Sequence, residues 1–268
     1  MELSIVLPTY NEGRNLEVLI PKILNLIENK IDKLEIIVVD DNSTDDTYKI
    51  CKKLNNISQN INLINRKEKP SLPLSIYQGI ISAKYEYVMW LDADGSMTPI
   101  AIAELIEQQK SSPKHVIIGS RFVEGGGYKG VEKDNENNLL KTIRNIYNSE
   151  DSILAVILSK LFNNLLNVLM NIGIKDMTSG FIIGKKEYFL SEKIYECFNN
   201  SDYGEYFAFL VNELDNNDIK MKEVGYICAT RIYGSSKTGT NYLQLIKRGM
   251  PYLTTAYKIR SNNERNKR

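Results

Sequence analysis

Two aspartates one residue apart, Asp92 and Asp94, follow directly on an apolar run in "YVMWLDADGS" (87 to 96). Residues i and i+2 of a strand point to one side, so a strand ending here aims both carboxylates into one small volume. Like charges held that close repel unless a cation sits between or beyond them. Hard oxygen ligands suit Mg²⁺ or Mn²⁺, which keeps several waters and takes phosphate oxygens from a substrate. Gly95 allows close approach of a ligand or of another backbone. The same letters also spell a solvated turn, because Asp and Gly are common turn residues.

Two further polar stretches follow apolar runs, "PTYNE" (8 to 12) and "DDNSTDDT" (40 to 47). Ser43 or Thr44, with Asp46 or Thr47, is expected to cap the next helix, but the pair Asp40 and Asp41 is more than a cap requires. No residue stands out as a general base. The one histidine, His115, opens an apolar run and is expected to be structural, and Glu205 in "DYGEYF" is the best unassigned acid. "GSSKTG" lacks the glycine and lysine spacing of a P-loop.

The elements that position these residues are legible as short β-branched runs: 3 to 8, 34 to 40, 60 to 65, 87 to 92 and 115 to 120. They alternate with helical patterns such as 14 to 29, which predicts βαβ units around a mostly parallel sheet, an α/β fold. Ligands of such sheets bind outside the carboxyl ends of the strands, where the three polar stretches fall. "VEGGGYKGVEKDNENN" (123 to 138) is loop chemistry and a candidate lid or insertion. In 153 to 172, Leu154, Leu158, Leu161, Leu165, Leu169 and Ile172 form a stripe expected to face the core, with Lys160, Asn163, Asn164, Asn167 and Asn171 opposite. Strands are expected within 179 to 186 and 220 to 230, a helix over 204 to 216, and a basic helix over 241 to 259 before the frayed tail "RSNNERNKR".

The chain has 268 residues, is 43% hydrophobic and carries a formal charge of +1, which argues against a general nucleic-acid binder. Seven Lys or Arg against one acid, Glu264, make the stretch from 241 onward basic. Three cysteines without C-x-x-C spacing predict neither a disulfide framework nor a zinc site, and a reducing, cytoplasmic setting is expected. No signal peptide or membrane span is read, because the most apolar window, 153 to 172, holds Lys160 and four asparagines.

"SIVLPTYNE", "EIIVVDDNSTDDT", "YVMWLDADGS", "IIGSRF", "DMTSGF" and "RIYGSSKTG" occur in the order and at about the spacing of inverting family 2 glycosyltransferases with the GT-A fold. The chain resembles their dolichyl-phosphate mannose synthase branch over about 1 to 122 and 153 to 255. The resemblance implies one GT-A domain over 1 to 260, with a nucleotide-sugar half (1 to 122), a loop or insertion (123 to 152) and an acceptor half (153 to 260) before a tail at 261 to 268. It implies transfer of a sugar, from GDP-mannose or a UDP-hexose, to a polyprenyl phosphate. The alternatives are a family 2 transferase acting on a glycan hydroxyl and a non-catalytic nucleotide-binding regulator.

Residue by residue, the resemblance implies that Pro8, Tyr10 and Glu12 line the base and ribose, and that Asp41 and the backbone near Val39 contact the nucleoside. Asp92, Ala93 and Asp94 match the D-x-D motif, which holds Mg²⁺ or Mn²⁺ against the donor diphosphate, and Ser96, standing where mannose synthases often have Gln, is the expected third metal ligand. Arg121, Arg231 and Lys237 match basic residues around the phosphates. Ser159 falls near the acceptor phosphate, but Ala155 replaces the family's arginine there, and Arg144 is the available substitute. Asp176 and Ser179 match a stretch facing the site.

A phosphate acceptor, with its second pKa near about 6, is already an anionic nucleophile and needs no base. A lipid acceptor implies peripheral attachment at the cytoplasmic face of a membrane through the amphipathic and basic helices, with Tyr242, Leu245, Ile246, Tyr252 and Leu253 supplying apolar contact. A membrane-protein partner could supplement them.

Overall fold

A computed structural model describes residues 1–128, 153–234 and 242–266. Arg144, Lys237 and most of the expected loop lie outside the described residues, as do the side chains of Leu154, Ala155, Tyr242, Leu245 and Ile246.

Seven strands form one sheet: β1 (Glu2–Thr9), β2 (Lys33–Asp41), β3 (Ile61–Arg66), β4 (Tyr87–Trp90), β5 (Val116–Ser120), β7 (Ile182–Lys185) and β8 (Met221–Gly225). Their order is β3-β2-β1-β4-β7-β5-β8. Every neighbouring pair is parallel except those made by β7, which runs antiparallel between β4 and β5. A short parallel pair, β6 (Gly127–Tyr128) with β9 (Ile227–Cys228), stands apart.

Both faces of the sheet are covered, which is why its strands read as unbroken apolar runs. Alternation along each strand sends side chains to two cores. Leu3, Ile5, Leu7, Ile36 and Val38 face one side, where they meet α1 (Gly13–Ile27), α2 (Thr47–Ile57) and α4 (Pro99–Ser111). Val6, Ile37, Val39, Val88 and Trp90 face the other. There they meet α3 (Leu72–Ser82), α5 (Ile153–Met170), α6 (Glu192–Asn199), α7 (Tyr206–Asn216) and α8 (Tyr242–Asn266). This is the expected α/β architecture. The last helix runs on to Asn266, through residues expected to fray.

Helix α5 departs from expectation in its rotation. Leu158, Leu161 and Leu165 are exposed, together with Ile157 and Val168, while Leu166 and Met170 enter the core and Asn163 is buried. Leu169 and Phe162 pack partly against that core. The sequence is apolar on both sides of this helix, so a stripe alone does not say which side turns inward. Asn163 tolerates burial because its amide donates to Ser159 O (2.9 Å) and Thr178 Oγ1 (3.1 Å). Among the described residues no helix is long and apolar enough to cross a membrane.

The expected cap of α2 is also different. Its N-cap residue, Asp46, makes no side-chain cap bond. Ser43 Oγ instead accepts from Asn11 N (2.8 Å), and Thr47 Oγ1 accepts from Glu12 N (3.1 Å) and Gly13 N (2.8 Å). Asn11 Oδ1 accepts from Thr44 N (2.8 Å). These hydroxyls therefore stitch the loop after β1 to the loop after β2, serving α1 from across the gap.

Candidate active site

The carboxyl ends of β1, β2 and β4 open into one cleft of about 290 Å³. Pro8, Tyr10 and Glu12 enter it from the first strand end, Asp41 from the second, and Asp92, Ala93 and Asp94 from the third. Arg231 closes it from the C-terminal half. Eight of the residues singled out in the sequence are thus brought together.

The two aspartates reach the cleft differently from the sequence-based expectation, since β4 ends at Trp90 and both lie in the turn beyond it. Gly95 shapes that turn. Its φ of +82° is left-handed, and an added Cβ would come within 2.5 Å of Ile232 Cδ1. The close approach expected of Gly95 is therefore made by the Ile232 side chain.

Asp94 is held by Ser96 N (2.9 Å) and by Arg231 Nη1 (3.0 Å). Arg231 Nη2 donates to Glu12, whose other oxygen accepts from the Asn15 amide. Burial penalises the Arg231 charge, yet Glu12, Asp94 and Asp92 outweigh it and raise the guanidinium's pKa. Asp92 is solvent-accessible but recessed, and among the described residues its carboxylate has no hydrogen-bond partner. Its pKa is pushed up to about 7, first by loss of water around it and then by Asp94, against the pull of Arg231 and Arg121.

Asp41 is buried and paired with Arg66, and it accepts from Ser71 N (2.5 Å). Burial raises its pKa, and Ser71 and Arg66 oppose the rise. The Val39 side chain is fully buried in the core, so only the backbone beside it is left for the contact expected there. Ser96, expected as a metal ligand, lies behind Asp94 and outside the cleft lining, with its carbonyl accepting from Ala229 N (2.8 Å).

Arg121 and Asp176 form a second cluster beside the cleft. Arg121 Nε and Nη2 donate to the two carboxylate oxygens at 2.9 and 2.8 Å, and Nη2 also reaches Thr178 Oγ1 at 2.8 Å. The Arg121 backbone N adds a third bond to Asp176 (2.9 Å). Tyr128 lies over this guanidinium, 5.6 Å from its ring centre, and its hydroxyl is bonded to Ser159. Ser179 is turned away, donating to the Gly119 carbonyl. Glu205 is likewise spoken for: its carboxylate accepts from Asp202 N (2.6 Å) and Tyr203 N (3.2 Å).

Sequence reasoning passed over Asp202 and Tyr203, which line the cleft, and Asn163, which ties α5 to the second cluster. Tandem polar residues before the Gly204 turn were the available signal for the first two. Asn163 carried none, because four asparagines share its helix segment.

The donor set fits a hard divalent cation. Asp92 and Asp94 offer oxygen only, and Asp92 is a raised, unpartnered carboxylate beside a second acid. No group of three or more His, Cys, Asp or Glu able to hold a metal gathers among the described residues, so such an ion would complete its shell with water and phosphate oxygens.

Solved structures share the fold. Glucosyl-3-phosphoglycerate synthase from Mycobacterium tuberculosis, in complex with Mn²⁺, uridine diphosphate and glucosyl-3-phosphoglycerate, superposes with a TM-score of 0.61 at 15% identity. The match covers 97% of this chain and 80% of that one. Among curated proteins, the dolichol-phosphate mannosyltransferase of Pyrococcus furiosus is 35% identical over 126 residues, 47% of this chain and 35% of that protein. Polyprenol monophosphomannose synthase of Mycolicibacterium smegmatis is 27% identical over 187 residues, 68% of this chain and 61% of that protein. A GalNAc(5)-diNAcBac-PP-undecaprenol beta-1,3-glucosyltransferase of Campylobacter jejuni is 33% identical over 144 residues, 50% of this chain and 45% of that protein. The chain thus spans between about a third and three fifths of the length of these relatives. With residues 4–190 matching the family described as glycosyl transferase family 2, and the cleft at its strand ends, this chain belongs to glycosyl transferase family 2.

Proposed function

We propose that the chain transfers a sugar with inversion from a nucleotide donor to a polyprenyl phosphate, aided by Mg²⁺ or Mn²⁺. The observation that carries this reading is the single cleft in which Asp92, Asp94 and Arg231 meet Pro8, Tyr10 and Asp41. The relatives named for dolichol-phosphate and polyprenol-linked mannose transfer support it.

In this reading Tyr10 and Asp41 hold the nucleoside, and Asp92 and Asp94 hold the cation. A bound divalent ion supplies charge neutralisation for a diphosphate that gains negative charge as the sugar leaves. Arg231 adds donors for the same phosphates. Arg121, locked by Asp176 and Thr178, offers a fixed donor group on the acceptor side. A phosphate monoester placed there needs orientation rather than deprotonation.

The exposed apolar row on α5, Ile157, Leu158, Leu161, Leu165 and Val168, lies on the helix that also carries Ser159. Seated on a lipid surface, that row would bring the second cluster to a headgroup, and the basic α8 would add attraction to anionic lipid. Attachment would be peripheral.

Asp202 favours one other reading. It lines the cleft with no hydrogen bond to its carboxylate among the described residues, and could serve as general base for a glycan hydroxyl, the chemistry implied by the Campylobacter relative's name. Radiolabelled nucleotide sugars, Mn²⁺ and either polyprenyl phosphate or a lipid-linked glycan in detergent separate the two. Label in the polyprenyl product, with Asp202→Asn within a few-fold of wild type, is expected. Glycan labelling that falls about 10²–10⁴-fold in Asp202→Asn would replace the first reading with the second.

A further inference from the structure

Arg231 already fills the place of a cation between the two acidic turns. The segment around it is fastened to the Asp94 turn by its backbone: Ala229 N donates to Ser96 O (2.8 Å) and Ile232 N to Asp94 O (3.0 Å). Tyr233 N donates to Asn15 Oδ1 (2.7 Å), fixing the other side. With the main chain anchored at both ends, the guanidinium spans from Asp94 Oδ2 (3.0 Å) to Glu12 Oε1. Asp94 is one of the two carboxylates available to a divalent ion, so ion and guanidinium compete for one oxygen. The pose is also incomplete, because Arg231 Nε is buried without a hydrogen-bond partner among the described residues. A diphosphate offers acceptors that this geometry leaves unmatched.

We propose that Arg231 is a placeholder cation that neutralises Glu12 and Asp94 in the empty cleft and releases Asp94 to the metal only when a nucleoside diphosphate takes the guanidinium. The inference rests on the reading of the cleft as a metal and diphosphate site. Metal alone must displace Arg231 from Asp94 and leave its charge to Glu12 alone. Metal arriving with a nucleoside diphosphate meets an Asp94 already given up. The two ligands therefore bind with positive coupling, and by linkage each tightens the other by the same factor. Arg231 thus contacts the phosphates and also sets when Asp94 becomes available.

The test follows free Mn²⁺ by electron paramagnetic resonance during titration of the full chain, alone and with UDP or GDP. In wild type, the nucleotide that binds is expected to tighten Mn²⁺ by about tenfold or more. In Arg231→Gln, Mn²⁺ alone is expected to bind about tenfold tighter than in wild type, and the nucleotide's effect should shrink by a similar factor, leaving only the coupling that direct metal–phosphate contact supplies. Tighter Mn²⁺ with undiminished coupling would reduce Arg231 to a repelling charge and overturn the handover. Unchanged Mn²⁺ affinity would overturn it as well. If Arg231→Gln does not fold, Arg231→Lys keeps the charge but not the fork, and coupling equal to wild type in that variant overturns the proposal. Wild type that binds no Mn²⁺ with either nucleotide overturns the underlying metal reading itself, a different result from either variant's.

Discussion

Asp92 combines two properties that a purely structural aspartate would shed: a carboxyl raised to about 7 and no hydrogen bond to relieve it among the described residues. An acid whose pKa is raised on folding holds its proton more tightly in the fold than in the open chain, so ionising it costs stability. That cost grows as pH climbs from the ordinary aspartate value of 3.8 to about 7. In metal-free buffer Asp92→Asn is therefore expected to raise Tm at pH 8, with the gain fading towards pH 4; differential scanning fluorimetry across that range checks it. Asp176 stands at the other extreme, fully buried with its charge matched by Arg121. Asp176→Ala leaves that guanidinium uncompensated and should cost about 3–5 kcal/mol in urea unfolding. The acidic pair, Glu12 and Asp41 were legible because polar residues after apolar runs announce strand ends, and Arg231 was legible only through the family motif that holds it. Asn163 and Asp202 were not, because a polar residue among similar neighbours gives no sign of what it will touch.

At the scale of elements, sequence and structure agree on where α5 lies and disagree on its phase. Leu158, Leu161 and Leu165 make as good a stripe as Phe162, Leu166 and Met170, and packing against α8 decides between them, with Phe162 edge-on to Tyr252 at 5.8 Å. The stripe left outside has no structural work to do in the described residues. Replacing Leu161 and Val168 together by Glu is expected to change stability by no more than about 0.5 kcal/mol per site. The same double variant should lose flotation with anionic liposomes that wild type shows; retained flotation would remove α5 from the membrane reading. The stitched loops give a similar lesson. Ser43 and Thr47 have helix-capping chemistry, but their hydroxyls are taken by neighbouring backbone of the β1 loop, a partner 32 to 35 residues distant in sequence.

For the whole molecule, the position of β7 matters most. Residues 1 to 122 read as the nucleotide-sugar half of one domain, and β4 and β5 within it do not pair with each other, because β7 from the second half lies between them. A fragment ending at 122 would leave β4 and β5 each with an open edge and should show no cooperative unfolding by circular dichroism, whereas the full chain should. A sharp transition in that fragment would mean the halves are separable after all. The alternating apolar runs announced a sheet but not its order, because order is settled by which edges remain when the chain returns. Cysteine chemistry follows the same burial: Cys51 and Cys197 thiols are pushed up to about 12 by loss of water, so neither should react with Ellman's reagent at pH 8 until the chain unfolds. Trp90, the only tryptophan, ends β4 two residues before Asp92, and its indole N–H donates to Tyr206 (3.0 Å), just past the Asp202 and Tyr203 loop that lines the cleft. The protein thus carries its own optical gauge: light emitted by a single indole, wired to both walls of the cleft, should change as a ligand enters, with no label attached.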